Sequence, residues 1–293
     1  MLKRLLTEYE EATNEILKPL SEKWGAHAFV KVKAASILPI ENSGIDHSAF
    51  HFALQSEFDF VVTDSDFQPL FAVEFDGESH NTEKQQHRDL KKNQLCERFR
   101  FPLLRINSKY LVRKYRQMDL LSWFINHWFA ARMIDDAYDA GQIPTHEYVD
   151  PSMIVSLPGT RTPFPLWLSA DVRCQIEQLY EQGQCLDACP SCFIASDSEN
   201  NYRAIAYIRI TESAFGRSRT AMRQQHFSVP AAEVLEAIVV HDLYQNLVDV
   251  LDKKVSPIPI EKLGHELDNF RRRFAILASS TYGEAPRFPK PAI

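Results

Sequence analysis

Three carboxylates are set into two strongly apolar runs. Asp59 lies in Phe58-Asp59-Phe60-Val61-Val62-Thr63-Asp64, and Glu74 and Asp76 lie in Leu70-Phe71-Ala72-Val73-Glu74-Phe75-Asp76. A carboxylate placed in core-like sequence is costly unless it is paired or holds a metal. Oxygen ligands of this kind suit Mg²⁺ or Mn²⁺ better than zinc. Gly77-Glu78-Ser79-His80 follows at once, and Gln85, Arg88, Asp89 and Lys92 come a few residues later. His80 suits a proton shuttle, because imidazole changes charge near neutral pH. It reads equally as a hydrogen-bonded histidine after a turn.

The elements that must position these groups can be read from periodicity. Side chains alternate along a strand, so Phe58, Phe60 and Val62 are expected on one face and Asp59 on the other. Phe71, Val73 and Phe75 share a face, opposite Ala72, Glu74 and Asp76. Ser65-Asp66-Phe67-Gln68-Pro69 is a turn by composition. The resulting hairpin brings Asp59 close to Glu74 and Asp76. Geometry alone leaves two readings open: a divalent-metal site, or edge strands carrying solvated acids. Gln85, Arg88, Asp89 and Lys92 fall on one helical face. Leu90 and Leu95 lie off that stripe and are expected to anchor the helix. Phe101-Pro102-Leu103-Leu104-Arg105-Ile106 reads as a further strand. Before the hairpin come a helix over 5–24 stopped at Gly25, a strand over 29–33 and a loop over 40–50.

Taken together, Asp59, Glu74-x-Asp76-Gly77-x-x-His80, Gln85-x-x-Arg88-Asp89-x-x-Lys92 and Leu103-Leu104-Arg105-Ile106 resemble the PD-(D/E)XK nuclease superfamily. The nearest branch is the bacterial one with an E-x-D-G-x-x-H signature, related to very-short-patch repair endonucleases. The resemblance spans roughly residues 5–110. It implies a restriction-endonuclease-like mixed sheet flanked by helices. It also implies a Mg²⁺- or Mn²⁺-dependent endonuclease acting on DNA, in repair, restriction or phage defence. Asp59 and Glu74 would hold the metal, with Asp76 as a further ligand and Glu10 of the opening helix as another (Glu11 is its rival). The superfamily's usual lysine follows two residues after the Glu, where this chain has Asp76. Lys92 on the next helix is the matching substitute, with Gln85 and Arg88 orienting water or phosphate.

Charge is distributed to match. The whole chain carries a formal −6, which by itself speaks weakly against a nucleic-acid partner. Residues 45–80 hold eight acids and no Lys or Arg, whereas residues 82–116 hold eleven Lys/Arg against three acids, a net of +8. Clustered acids can hold cations, and a following basic stretch can hold phosphate. A solvated charged helix face is the plainer account of that stretch. Lys84, Lys91 and Arg105 are the candidate phosphate contacts here, and Arg217, Arg219 and Arg223 are those of a flexible-looking Gly/Ser segment further on.

At 293 residues with 45% apolar content, the chain has ample core for one large or two modest domains. The expected division is a nuclease-like domain over 1–116, a connecting aromatic helix over 117–140 buried between two halves, a Pro-rich linker over 141–165, and a mainly helical α+β accessory domain over 166–293. In that last domain helices are expected over 166–182, 230–252 and 260–278, and a strand over 203–211. No apolar run approaches the roughly 20 residues that span a bilayer. The basic, only briefly apolar start does not read as a signal peptide. Five scattered cysteines do not read as a disulfide framework. The expected location is cytoplasmic. Cys189-Pro190-Ser191-Cys192 with Cys185 and Cys174 could form a thiolate zinc site, but the spacing is not a common knuckle, and free thiols are the preferred reading. His241 and Asp242 read as structural. No Gly-rich phosphate loop occurs, so a nucleotide cofactor is not expected. Two further functional classes remain: a nucleic-acid binder that kept the nuclease fold without turnover, and an interaction subunit docking a partner through the aromatic helix.

Overall fold

The structure is a computed structural model that describes residues 4–77, 83–115, 117–149, 168–229 and 231–281. The chain divides into two compact units, Met1–Phe164 with Gln225–Val229, and Pro165–Gln224 with Pro230–Ile293. The first is α/β, with a mixed four-stranded sheet flanked by helices. The second is built on a five-stranded antiparallel sheet.

In the first unit, α1 (Glu8–Lys23) starts at Thr7, whose hydroxyl accepts from the Glu10 amide while the Glu10 carboxylate accepts from the Thr7 amide. This capping box fixes Glu10 on the first turn. The helix stops at Gly25, which takes a left-handed φ of 69°. Strands β1 (His27–Lys33), β2 (Glu57–Thr63) and β3 (Pro69–Phe75) form an antiparallel meander. The turn between β2 and β3 is tied by Asp64, whose carboxylate accepts from the Asp66 and Gln68 amides. β4 (Leu103–Ile106) then pairs parallel to β3. A parallel pair needs a crossover, and α3 (Glu83–Arg98) supplies it. That crossover lays α3 across one face of the sheet.

Phe58, Val61, Ala72, Leu95, Cys96, Phe101 and Leu103 form the core on the α3 side. A short helix, α2 (His47–Gln55), also packs there, where the sequence was expected to form a loop. Its signals are the Asp46 cap and the paired Phe50 and Ala53, in a segment too short to show a clear period. On the opposite face Phe71 packs edge-on against Trp128 and Phe129 of α4 (Leu120–Asp139) and against Phe227. Tyr9 of α1 stacks on Phe75 at 5.1 Å. Residues 225–229 thus reach back to cover β4. The Gln225 side chain accepts from the Arg105 amide and donates to its carbonyl, and the Leu103 amide donates to the His226 carbonyl. An edge strand is thereby given partners.

The expected facing of β2 is corrected. Phe58 and Val61 lie in one core cluster although they are three positions apart. A regular strand would send them to opposite faces. The break falls at Asp59, beside Lys31 of β1, which has a left-handed φ of 52°. Leu90 is also corrected: it is exposed, whereas Leu95 is buried as expected, with Cys96 beside it.

In the second unit the sheet order is β8-β7-β6-β5-β9. Its elements are α5 (Ala170–Glu181), β5 (Ser191–Ser196), β6 (Tyr202–Arg209), β7 (Ala214–Met222), α6 (Ala231–Leu251), β8 (Ile258–Pro259), α7 (Ile260–Arg273) and β9 (Ala275–Ser280). The three expected helices form, but α7 ends at Arg273 and the chain continues as a strand. Four of the five strands were not expected. β7 contains the segment expected to be flexible. Its Gly216 is closely covered: a Cβ there would meet the Ile208 side chain of β6 at 3.3 Å and the Asn246 side chain of α6 at 3.5 Å. Of the expected Pro-rich linker, residues 150–165 lie outside the described residues. Among the described residues no helix is long and apolar enough to cross a membrane.

Candidate functional site

The charged groups gather where β2 and β3 part. The backbone ladder of this pair runs from Phe60↔Val73 to the turn. Beyond it the carboxylates take over from the backbone. The Asp59 amide donates to Glu74 Oε1 at 3.2 Å, and the Phe75 amide donates to Asp59 Oδ2 at 3.0 Å. Opening the hairpin here is what lets two acids lie inside a sheet without orphaning the amides.

Each acid also meets a lysine. Lys92 Nζ lies 2.7 Å from Glu74 Oε2 and donates to the Glu57 carbonyl at 2.7 Å. The helix spacing that nominated Lys92 therefore delivers it to Glu74. Lys31 Nζ lies 2.7 Å from Asp59 Oδ1 and 2.5 Å from Glu10 Oε1. Lys31 was missed by sequence reasoning. In His-Ala-Phe-Val-Lys-Val-Lys it looks like one of two solvated lysines, and Lys33 does pair on the surface with Glu57. The only available signal was a lysine on the strand next to Asp59. Glu10 is in the cluster, whereas Glu11 pairs with Arg4 at the surface.

Arg105 forms the third part. Its guanidinium lies 2.9 Å from Asp76 Oδ1 and 3.5 Å from Asp89 Oδ1, and it donates to Asn93 Oδ1 at 3.0 Å. Gln85 donates to Asp89 at 3.2 Å. Arg105 is 3% exposed. The expectation of a phosphate contact is corrected for this residue: its donors are spent on buried acceptors, out of reach of a backbone phosphate. Asp76 is held by this arginine.

Burial pushes the Glu74 carboxyl above the usual carboxylate range, against the opposing pull of Lys92. Burial works against the Lys31 ammonium, but its hydrogen bonds to Asp59 and Glu10 outweigh that, so its pKa is raised. Burial likewise opposes Glu10 ionisation and is outweighed by Lys31 and the Thr7 cap, leaving its pKa lowered. The Cys96 thiol, buried and facing the Glu74 charge, is pushed up to about 12.

The other nominated residues are spread. Arg88 is exposed on α3. Lys91 donates to Ser48 of α2 at 3.0 Å. His80 and the Lys84 side chain lie outside the described residues. In the second unit Arg217 and Arg219 both pair with Glu266 of α7, at 3.0 and 2.9 Å, and Arg223 is half-buried just past β7. Cys185 and Cys192 are buried, Cys189 is half-buried and Cys174 is exposed, all as free thiols.

Among the described residues no three His, Cys, Asp or Glu side chains already converge as a metal cage. The donor chemistry nonetheless fits one hard divalent cation. Glu10, Asp59, Glu74, Asp76 and Asp89 face Lys31, Lys92 and Arg105, so the acids exceed the cations by two. All the ligand atoms are oxygen, as such ions prefer.

The first unit is thus an α/β domain with a carboxylate–lysine–arginine cluster at the open end of its hairpin. A family model described as a protein of unknown function, DUF2726, matches residues 2–120, which contain the entire cluster. No curated protein and no solved structure matches the chain.

Proposed function

We propose that the first unit is a restriction-endonuclease-like domain that cleaves phosphodiester bonds in DNA with the help of Mg²⁺ or Mn²⁺. The observation that carries this reading is the contact of Lys92 with Glu74 at 2.7 Å, beside Asp59 at the parting of β2 and β3. Two acids and a lysine meet there although the strand position of the superfamily's lysine is occupied by Asp76. A bound Mg²⁺ would polarise the scissile phosphate and acidify the attacking water. Asp59 and Glu74 would supply its anionic ligands, their geometry fixed by the Phe75 and Asp59 amides. The Lys92 ammonium would donate to a phosphoryl oxygen as negative charge develops. Arg105 would act as a positioning residue, holding Asp76 and α3 in place. Exposed Arg88 on the same helix would meet the nucleic-acid backbone.

The test is cleavage of plasmid and single-stranded DNA by the full chain with Mg²⁺, with Mn²⁺ and with EDTA, beside Asp59→Asn. Metal-dependent nicking that Asp59→Asn abolishes is the expected result. Unchanged cleavage by Asp59→Asn would overturn the assignment. A second reading, a nucleic-acid binder without turnover, draws support from the lysines already paired with both acids. It calls for salt-sensitive DNA binding with no cleavage under any metal.

A further inference from the structure

We infer that Lys31 is a built-in counter-cation for the metal site: its ammonium holds the Glu10 and Asp59 oxygens that a divalent cation would take, and it must be displaced for the metal to bind. This deepens the reading proposed above and rests on it for the identity of the metal ligands.

The geometry is that of a cation already coordinated. One nitrogen reaches Glu10 Oε1 at 2.5 Å and Asp59 Oδ1 at 2.7 Å, bridging helix α1 to strand β2. The remaining oxygens are committed elsewhere. Glu10 Oε2 accepts from the Thr7 amide, and Asp59 Oδ2 accepts from the Phe75 amide. While Lys31 holds both outward oxygens, its charge opposes a divalent cation at the same place. Lys92 differs in kind. It approaches Glu74 from the crossover helix and shares its ammonium with the Glu57 carbonyl, so it holds one acid and bridges none.

The backbone points the same way. Val30 pairs with Phe60 and Val32 with Phe58, yet Lys31 between them adopts a φ of 52°. A left-handed conformation is unfavourable for a residue with a side chain and persists where its surroundings hold it. Glycine would fit this backbone without strain. A lysine there instead is accounted for by what its ammonium does.

Displacement also has a direction. Lys31 is only partly buried, with its side chain 23% exposed, so the released ammonium has solvent or a phosphate group to turn to. The Lys31 ammonium is therefore the cation that metal loading would move.

The experiment compares the full-length protein with Lys31→Met, which keeps the stem, and Lys31→Gly, which also relieves the backbone. Mn²⁺ binding is followed by calorimetry and by the rise in melting temperature that Mn²⁺ produces. Removal of the competitor is expected to tighten Mn²⁺ binding about tenfold or more, about 1.4 kcal/mol. Both variants should be less stable than the parent in EDTA and should gain more from Mn²⁺ than the parent does. Adding Asp59→Asn to either variant should abolish the gain. Equal Mn²⁺ affinity in parent and variants, with the parent still cleaving DNA, would overturn the counter-cation role and leave the nuclease reading standing. Tightened binding in the variants without cleavage by the parent would sustain the counter-cation role and count against the nuclease. Absence of Mn²⁺ binding in all three proteins would overturn both. If Lys31→Met does not fold, Lys31→Gly decides the same comparison.

Discussion

Replacing Arg105 with Met separates a buried structural cation from a nucleic-acid contact. The guanidinium serves Asp76, Asp89 and Asn93 at once, and Asp89 and Arg105 are nearly inaccessible to water. Methionine fills much of the volume but takes the guanidinium from Asp76, Asp89 and Asn93, leaving Asp89 with the Gln85 amide in place of a counter-charge. Removing one partner of a buried ion pair costs about 3–5 kcal/mol, because the remaining charge stays desolvated. For a unit of this size that corresponds to a fall in melting temperature of about 6–20 °C. Arg105→Lys should lose less, since an ammonium can satisfy one acid but not the whole fork of acceptors. Adding Asp89→Asn to Arg105→Met should recover part of the loss, because one of the stranded charges is then gone. Thermal unfolding followed by circular dichroism measures all three. An Arg105→Met protein that melts within about 1 °C of the parent yet loses DNA affinity would refute the buried-cluster reasoning and restore Arg105 as a phosphate contact.

Other expectations follow from the same cluster. Glu74 has its folded pKa raised above the ordinary 4.5 by burial, so its ionisation costs stability above the folded value and nothing below the unfolded one. Glu74→Gln keeps a single oxygen acceptor, for Lys92 or for the Asp59 amide, and removes the desolvated charge, so its stability relative to the parent should be more favourable above the folded pKa than below the unfolded one. The stability of the variant relative to the parent should fall as pH drops from neutral towards about 4.5 in denaturant titrations, and a rise on acidification would contradict the sign. Lys92→Ala should cut the cleavage rate about 100-fold or more, on the scale of losing one charge-stabilising donor, while Lys91→Ala, which loses only a bond to Ser48, should leave the rate nearly unchanged; similar rates for the two variants would remove Lys92 from the chemistry. In maleimide labelling at neutral pH, Cys174 should react quickly because it is exposed, whereas Cys96 and Cys192, buried and pushed up to about 12, should react only on unfolding.

The sequence by itself determined the local part of this architecture. Acids placed in apolar runs marked the hairpin, and a turn-rich gap set its ends, because alternation and turn chemistry act over a few residues. Helical spacing nominated Lys92, and α3 carries it to Glu74 because a parallel crossover must lie across the sheet. Other features were decided by tertiary structure. Lys31 and Lys33 each follow a valine in the same strand, and what distinguishes them is the arrival of Glu10 on α1 and Asp59 on β2 at Lys31. Arg105 reads as one more basic residue in a +8 stretch until β3 and α3 enclose it with acids. The partners of the β4 edge come from Gln225 and His226, more than a hundred residues away, and no local pattern announces them. In the second unit short strands such as β5 and β8 take their identity from neighbours across the sheet, so their runs are too brief to read alone. Pairing between distant charges and strands depends on burial and proximity, and those exist only once the chain has folded.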